Sequence, residues 1–362
     1  MILGCVVQLR RGRFRRPQTN HLQTTAELHE PRLPLPKSTN SLADARDYGV
    51  SSLQIGTKHL ANTRTIVLSF TWLMNIFEKY PNSKFLKKLP DDSDLFPLRK
   101  RVVELFRSLD GLEDRHFDQQ LDQDPYARLW EMMLATILTA HGYSPRSAEH
   151  GPDFVVEHEG RRVFIEAICP GPGDEASPNS VPPPVYGAGI AQDVPVDKIA
   201  LRLCHALAEK KRRYTEYLAQ RIVSETDICI IAINSSRIDG ASGLWPPAIM
   251  RATHGLGNPY VLFSKDEGAI GEGIESRQSI RKVNENGVDP MFSRSDENDL
   301  ISGILYSDCS FFSLVFDLFG KSLFLHNPKA RVLIPLRFVH RVQEMWTICC
   351  YDGSRWRPYR IN

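Results

Sequence analysis

Two carboxylates are the side chains of this chain best placed to do chemistry. Asp153 opens the stretch Pro152-Asp153-Phe154-Val155-Val156, and Glu166 sits inside Arg162-Val163-Phe164-Ile165-Glu166-Ala167-Ile168. The two stretches read as short strands joined by the turn His158-Glu159-Gly160-Arg161. Alternation places Phe164, Glu166 and Ile168 on one face of the second strand and Ile165, Ala167 and Cys169 on the other. Both faces are apolar, so Glu166 points into a core. An unpaired carboxylate there is costly unless it is paired, protonated or bound to metal. A hairpin brings Asp153 back to the neighbourhood of Glu166, and two converging, partly buried carboxylates suit a divalent cation.

A third acid lies upstream. Asp124-Pro125 is a helix start, with Asp as the N-cap and Pro at the first helical position. The segment from Tyr126 to Leu138 then runs without a breaker to His141-Gly142. Trp130, Met133, Leu134, Ile137 and Leu138 form its apolar stripe, and Glu131 lies at the edge of that stripe.

This order of elements resembles the PD-(D/E)xK nuclease superfamily, which includes many restriction enzymes and archaeal-type Holliday junction resolvases. A helix Glu, a strand-borne Asp and an acid on the next strand match Glu131, Asp153 and Glu166. The resemblance covers roughly residues 124 to 233. It implies an α/β fold: a restriction-endonuclease-like mixed sheet flanked by helices, here with extra N-terminal helices and a strand-rich C-terminal region. It also implies a Mg²⁺ or Mn²⁺ site formed by Glu131, Asp153, Glu166 and the carbonyl of Ala167, acting on DNA or RNA. One departure stands out. Where the family carries a lysine two residues after the second-strand acid, this chain has Ile168.

A replacement cation is available on the long helix that starts at Val196, after the Pro/Gly-rich loop 170–195. Its apolar side runs through Ile199, Leu203, Ala206, Leu207, Tyr214 and Leu218, and Lys210 falls within that stripe. A core-facing lysine can lay its stem along apolar surface and set its ammonium among the acids. Lys198 and Arg202, nearer the start of the helix, are candidate phosphate contacts. The residues also admit plainer roles. Glu131 could pair with Arg128, Asp153 could be a turn acid, and Glu166 could bridge to Arg202. Lys210 to Arg213 could form a solvated cationic helix end. Two function classes follow: a metal-dependent nuclease using Glu131, Asp153, Glu166 and Lys210, or a catalytically silent relative serving as a binding or assembly module.

The rest of the chain sets the frame. With 362 residues, 42% hydrophobic and 24% charged, this reads as a globular protein of one or two domains. A net charge of +2 does not by itself advertise nucleic-acid binding. Seven cysteines, odd in number and without paired metal spacing, point to a reduced, cytoplasmic protein. No apolar run approaches membrane length, so no membrane partner is expected, and a homodimer is a candidate assembly. Residues 1–60 read as a disordered, basic and Pro-rich tail, and 61–123 as a helical region with helices at 65–80 and 96–109. Residues 124–264 read as the nuclease-like core, 265–299 as a loop, and 300–362 as strands packed on that core. Strands are expected at 227–234, 301–306, 323–326, 332–335 and 346–351. His326-Asn327-Pro328 reads as a turn.

Overall fold

Ile228–Asn234 is apolar along nearly its whole length and buried on both faces, which requires a sheet covered on both sides. The computed structural model describes residues 54–60, 63–69, 75–90, 94–147, 150–185, 192–264, 266, 268–283, 286–292, 298–311, 313, 318–339, 342–346 and 359–360. All belong to one unit, Ser51–Asn362; the other unit, Met1–Val50, lies outside the described residues. In chain order the elements begin with the hairpin β1 (Gln54–Leu60) and β2 (Thr63–Ser69), then helices α1 (Ile76–Lys79), α2 (Phe96–Leu109), α3 (Phe117–Gln123) and α4 (Pro125–Ala140). There follow β3 (Phe154–His158), β4 (Arg161–Ile168), α5 (Val196–Ala219), β5 (Ile228–Asn234) and α6 (Ala248–His254). The chain continues through the hairpin β6 (Leu256–Ser264) and β7 (Gly268–Ser276), then β8 (Gly303–Ser307), β9 (Ser322–His326), β10 (Gln343–Trp346) and β11 (Tyr359–Arg360).

Seven strands form one mixed sheet in the order β11-β10-β9-β8-β5-β4-β3. β4, β5 and β8 run parallel, β3 is antiparallel to β4 and β9 to β8, and β10 runs parallel to β9 with β11 antiparallel to it. The parallel step from β4 to β5 needs a crossover, and α5 supplies it. The alternation of β4 decides which layer each residue meets. Ile165, Ala167 and Cys169 join the core beneath α4 and α2, whereas Phe164 and Ile168 join the core beneath α5 and α6. The sheet is therefore covered on both faces by helices, and α4 and α5 lie on opposite sides of it.

Local signals explain the element ends near the site. Asp124 accepts a hydrogen bond from the Ala127 N–H at 3.2 Å and so caps α4, with Pro125 at its first position. Gly142, just past the helix, has φ +83°. The indole N–H of Trp130 donates to the Ala232 carbonyl at 3.1 Å, pinning α4 to β5. The β3–β4 turn has positive φ at both central residues, Glu159 (50°) and Gly160 (75°), the twist that suits a two-residue hairpin.

Several expectations need correction. Residues 65–80 are not one helix: β2 runs to Ser69, and α1 begins at Ile76 behind the capping box of Asn75 and Glu78. Thr63, Thr65, Ile66 and Val67 are β-branched, and pairing with β1 favours the extended form of this run over the helical spacing. The expected tail 1–60 lies outside the described residues except for 54–60, which forms β1. Within the expected loop 265–299, Gly268–Ser276 is a strand. Its glycines read as loop, yet Gly273 lets the Tyr260 ring lie so close that an added Cβ would sit 2.7 Å from it. Residues 332–335 form no strand. Of the expected strand at 346–351 only Trp346 is described, as part of β10, which begins earlier at Gln343; 347–351 lie outside the described residues. Among the described residues no helix is long and apolar enough to cross a membrane.

Candidate functional site

In the β3–β4 register Phe154 faces Ile165, so the next pair outward is Asp153 with Glu166. Asp153 stands just before the first residue of β3 and does what a ladder residue would do: its Oδ2 accepts the Ala167 N–H at 2.7 Å. Its Oδ1 has no hydrogen-bond partner among the described residues. Glu166 is 1% exposed, and each of its oxygens is engaged by α5. Lys210 Nζ donates to Oε2 at 2.5 Å and the Tyr217 hydroxyl lies 2.8 Å from Oε1. Tyr217 also lies 3.2 Å from the Gly151 carbonyl, two residues before Asp153, and so ties both acids to one helix.

α5 can do this because Lys210, Tyr214 and Tyr217 recur at i, i+4 and i+7 on its inner face. Lys210 is 5% exposed, its stem packed in the stripe the sequence assigns to it. The Tyr214 hydroxyl lies 2.8 Å from the Phe164 carbonyl and 2.7 Å from that of Ile230, which locks the helix across β4 and β5. Burial pushes the Glu166 carboxyl above the usual range and the negative charge of Asp153 adds to that push, while Lys210 and Tyr217 pull the other way.

Glu131 belongs to α4, on the other side of the sheet. Its carboxylate meets Arg128 at 2.7 Å, and Arg128 also lies 3.7 Å from Asp114. Burial pushes its carboxyl up to about 8; Arg128 lowers it, Asp153 and Asp114 raise it, and Lys210 lowers it. Glu131 therefore lies within the electrostatic reach of Asp153 and Lys210, with Arg128 as its direct partner. The expected convergence of three carboxylates takes the form of an adjacent pair, Asp153 and Glu166, with a third acid held at the edge by an arginine.

The structure does not bring the other two basic candidates to the acids. Arg202 donates its Nε to the Gly171 carbonyl at 3.1 Å, and Lys198 is half-buried near the start of α5. At 1.5 Å per residue they lie about 12 and 18 Å along the helix from Lys210. Glu166 is bridged by Lys210, not by Arg202. The arginine run beyond Lys210 is solvated, with Arg212 paired to Glu216 and Arg213 to Glu209. Sequence reading missed the role of Tyr217, though its seven-residue spacing from Lys210 was the available signal.

The donor chemistry suits a hard divalent cation. Every acid present is an oxygen ligand, and each carboxylate oxygen keeps lone-pair capacity beyond the hydrogen bond it accepts. No group of three or more His, Cys, Asp or Glu side chains among the described residues is already arranged to hold a metal ion. Asp153, Glu166 and the Ala167 carbonyl are the candidate ligands, and Glu131 stays with Arg128. His326 and Asn327 lie elsewhere, buried at the end of β9, where the Asn327 side chain donates to the Ile301 carbonyl at 2.8 Å and holds a turn. No family model, no curated protein and no solved structure matches the chain.

Proposed function

We propose that this protein is a metal-dependent phosphodiesterase acting on DNA or RNA, built on a restriction-endonuclease-like core in which the usual lysine has moved from the strand to a helix. One observation carries the reading. Ile168 occupies the position where a lysine is expected, and α5 delivers the ammonium of Lys210 to Glu166 at 2.5 Å instead. Asp153, Glu166 and the Ala167 carbonyl would hold a Mg²⁺ or Mn²⁺ ion, which would supply positive charge for the scissile phosphate and acidify water.

The chain's own residues do the rest. Lys210 offsets negative charge beside Glu166 and orients a water through its remaining N–H groups. Tyr217 fixes the Glu166 carboxylate, and the Ala167 N–H fixes that of Asp153. Arg202 keeps N–H donors beyond the one given to Gly171, and with Lys198 extends a cationic track along α5 for neighbouring phosphates. Purified protein is expected to cleave single- or double-stranded DNA or RNA only with Mg²⁺ or Mn²⁺ present. Asp153→Asn, which keeps an acceptor for Ala167, is expected to abolish cleavage without changing the melting temperature in metal-free buffer. Absence of cleavage on every one of these substrates would refute the enzymatic reading.

A second reading, a catalytically silent binding or assembly module, is favoured by the closure of the Glu166 pair. A carboxylate 1% exposed with both oxygens engaged is what a purely structural polar core also requires. On that reading Mg²⁺ leaves the melting temperature of the wild-type protein and of Asp153→Asn equally unmoved. On the enzymatic reading it raises only the former.

A further inference from the structure

β6 and β7 stand outside the main sheet, and among the described residues they pair only with each other. The base of this arm is anchored: Leu256 is buried, and the Arg277 N–H donates to the Gly255 carbonyl at 2.7 Å. Beyond the base, Tyr260, Val261, Leu262 and Phe263 are exposed in succession, with Leu262 at 52% and Phe263 at 73%. Alternation means that both faces of β6 carry uncovered apolar side chains. Opposite Tyr260 and Leu262, β7 contributes Gly273 and Gly271, while Val261 and Phe263 face Glu272 and Ala269. A long, extended, apolar edge with unpaired main-chain groups is a template for another strand.

We propose that the free edge of β6 pairs antiparallel with β6 of a second copy of this chain about a two-fold axis, making a four-stranded sheet centred near Leu262. Charge selects this edge. No residue from Leu256 to Ser264 is charged, so a β6–β6 pair opposes no like charges. An equivalent pair through β7 would set Glu272 of one copy against Glu275 of the other, or either acid against its own copy. Charge also selects the occupant. From Leu256 to Ser276 the arm has one lysine (Lys265) against four acids (Asp266, Glu267, Glu272, Glu275), which disfavours nucleic-acid phosphates and anionic lipid. Pro259 has no N–H, so pairing runs from Tyr260 to Ser264. With aromatic side chains worth about 150–250 Å² each, the four exposed side chains present on the order of 400 Å². Edge pairing leaves both faces of the sheet in solvent and buries the main-chain edge with the flanks of these side chains, below the ~1,000 Å² of the smallest specific interfaces. The dimer is accordingly a weak one, with a dissociation constant on the order of 10 µM.

Sedimentation velocity of the full chain across roughly 1–100 µM tests this. The wild-type protein should pass from monomer to dimer. Leu262→Lys should weaken the dimer at least about tenfold, since it buries two like charges at the axis, with an unchanged melting temperature because Leu262 faces solvent in the single copy. Phe263→Ser gives the same reading should Leu262→Lys lower the melting temperature. A protein monomeric throughout the range overturns the proposal, as does a dimer that neither substitution weakens. Flotation of the monomer with phosphatidylcholine vesicles, lost in Phe263→Ser, would assign the arm to a lipid surface and overturn it as well.

Discussion

The two ends of β4 both carry an ion pair, and they differ in almost everything that decides what an ion pair contributes. At the turn end, Arg162 reaches Asp227 through two hydrogen bonds, at 3.0 and 2.6 Å, while half of its side chain remains in solvent. Asp227 also accepts the Ser224 N–H at 2.7 Å, so it keeps a partner without the arginine. At the other end Glu166 and Lys210 are both removed from water, and the partners that satisfy them come from one helix face. The half-exposed pair sets a solvated guanidinium against a buried carboxylate, and solvent and salt reach it through the arginine. The buried pair holds two charges whose desolvation only each other's presence offsets. The first keeps one partner in water and a backbone N–H in reserve; the second commits α5 to one register against the sheet.

The sharpest way to break this comparison is to remove one buried charge. Lys210→Met should lower unfolding stability by about 3–5 kcal/mol, because it leaves Glu166 buried and uncompensated. Chemical denaturation should show most of that loss recovered in Lys210→Met/Glu166→Gln. If the single and double variants are equally destabilised, the cost comes from packing and not from the stranded charge. For the same reason Lys210→Ala is a poor test of catalysis alone, since the fold is not expected to survive it unharmed.

Glu131 sharpens the contrast next. Burial pushes its carboxyl up to about 8 from an ordinary 4.5, so the native state holds a proton that the unfolded chain releases in between. Its stabilising contribution is full below about pH 4.5 and is lost as pH rises through 8. Glu131→Gln should therefore stabilise the protein at pH 8.5 by on the order of 2 kcal/mol relative to its effect at pH 4.5. Thermal melts at the two pH values check this, and equal shifts at both would mean that Arg128 keeps the carboxylate ionised throughout.

Smaller effects complete the series. Tyr217→Phe removes the one hydroxyl proton shared between Glu166 and the Gly151 carbonyl, and should cost about 1–2 kcal/mol in urea melts. Arg162→Ala at the turn end should cost about 1 kcal/mol, since Asp227 keeps the Ser224 N–H, and 1 M NaCl should narrow the difference from wild type. High salt should leave the Lys210→Met deficit nearly intact. A salt response shared by both variants would collapse the distinction between the two ends.

Much of the site's framework is legible in the residues because it is local. Asp124-Pro125 starts α4, Glu159-Gly160 turns β3 into β4, and the alternation of Phe164, Glu166 and Ile168 against Ile165, Ala167 and Cys169 sorts β4 between two cores. Lys210 sits in the apolar stripe of α5 for the same reason, a period of 3.6 residues. The errors cluster where two readings compete locally. Val67 carries both helical spacing and β-propensity, and Gly268 to Gly273 look like loop until a hairpin partner is supplied.

Periodicity in the sequence thus determined which side chains turn inward: Glu166, Lys210, Trp130 and the whole of β5. It could not determine whom they meet. That Glu166 takes Lys210 and Tyr217 in place of Arg202 was decided only by the tertiary structure. So was the isolation of β6 and β7 from the seven-stranded sheet. The physical reason is range. Direction along a helix or strand is fixed by a few adjacent bonds, whereas a charge buried between two layers is satisfied by whatever the packing of distant elements places within hydrogen-bond reach.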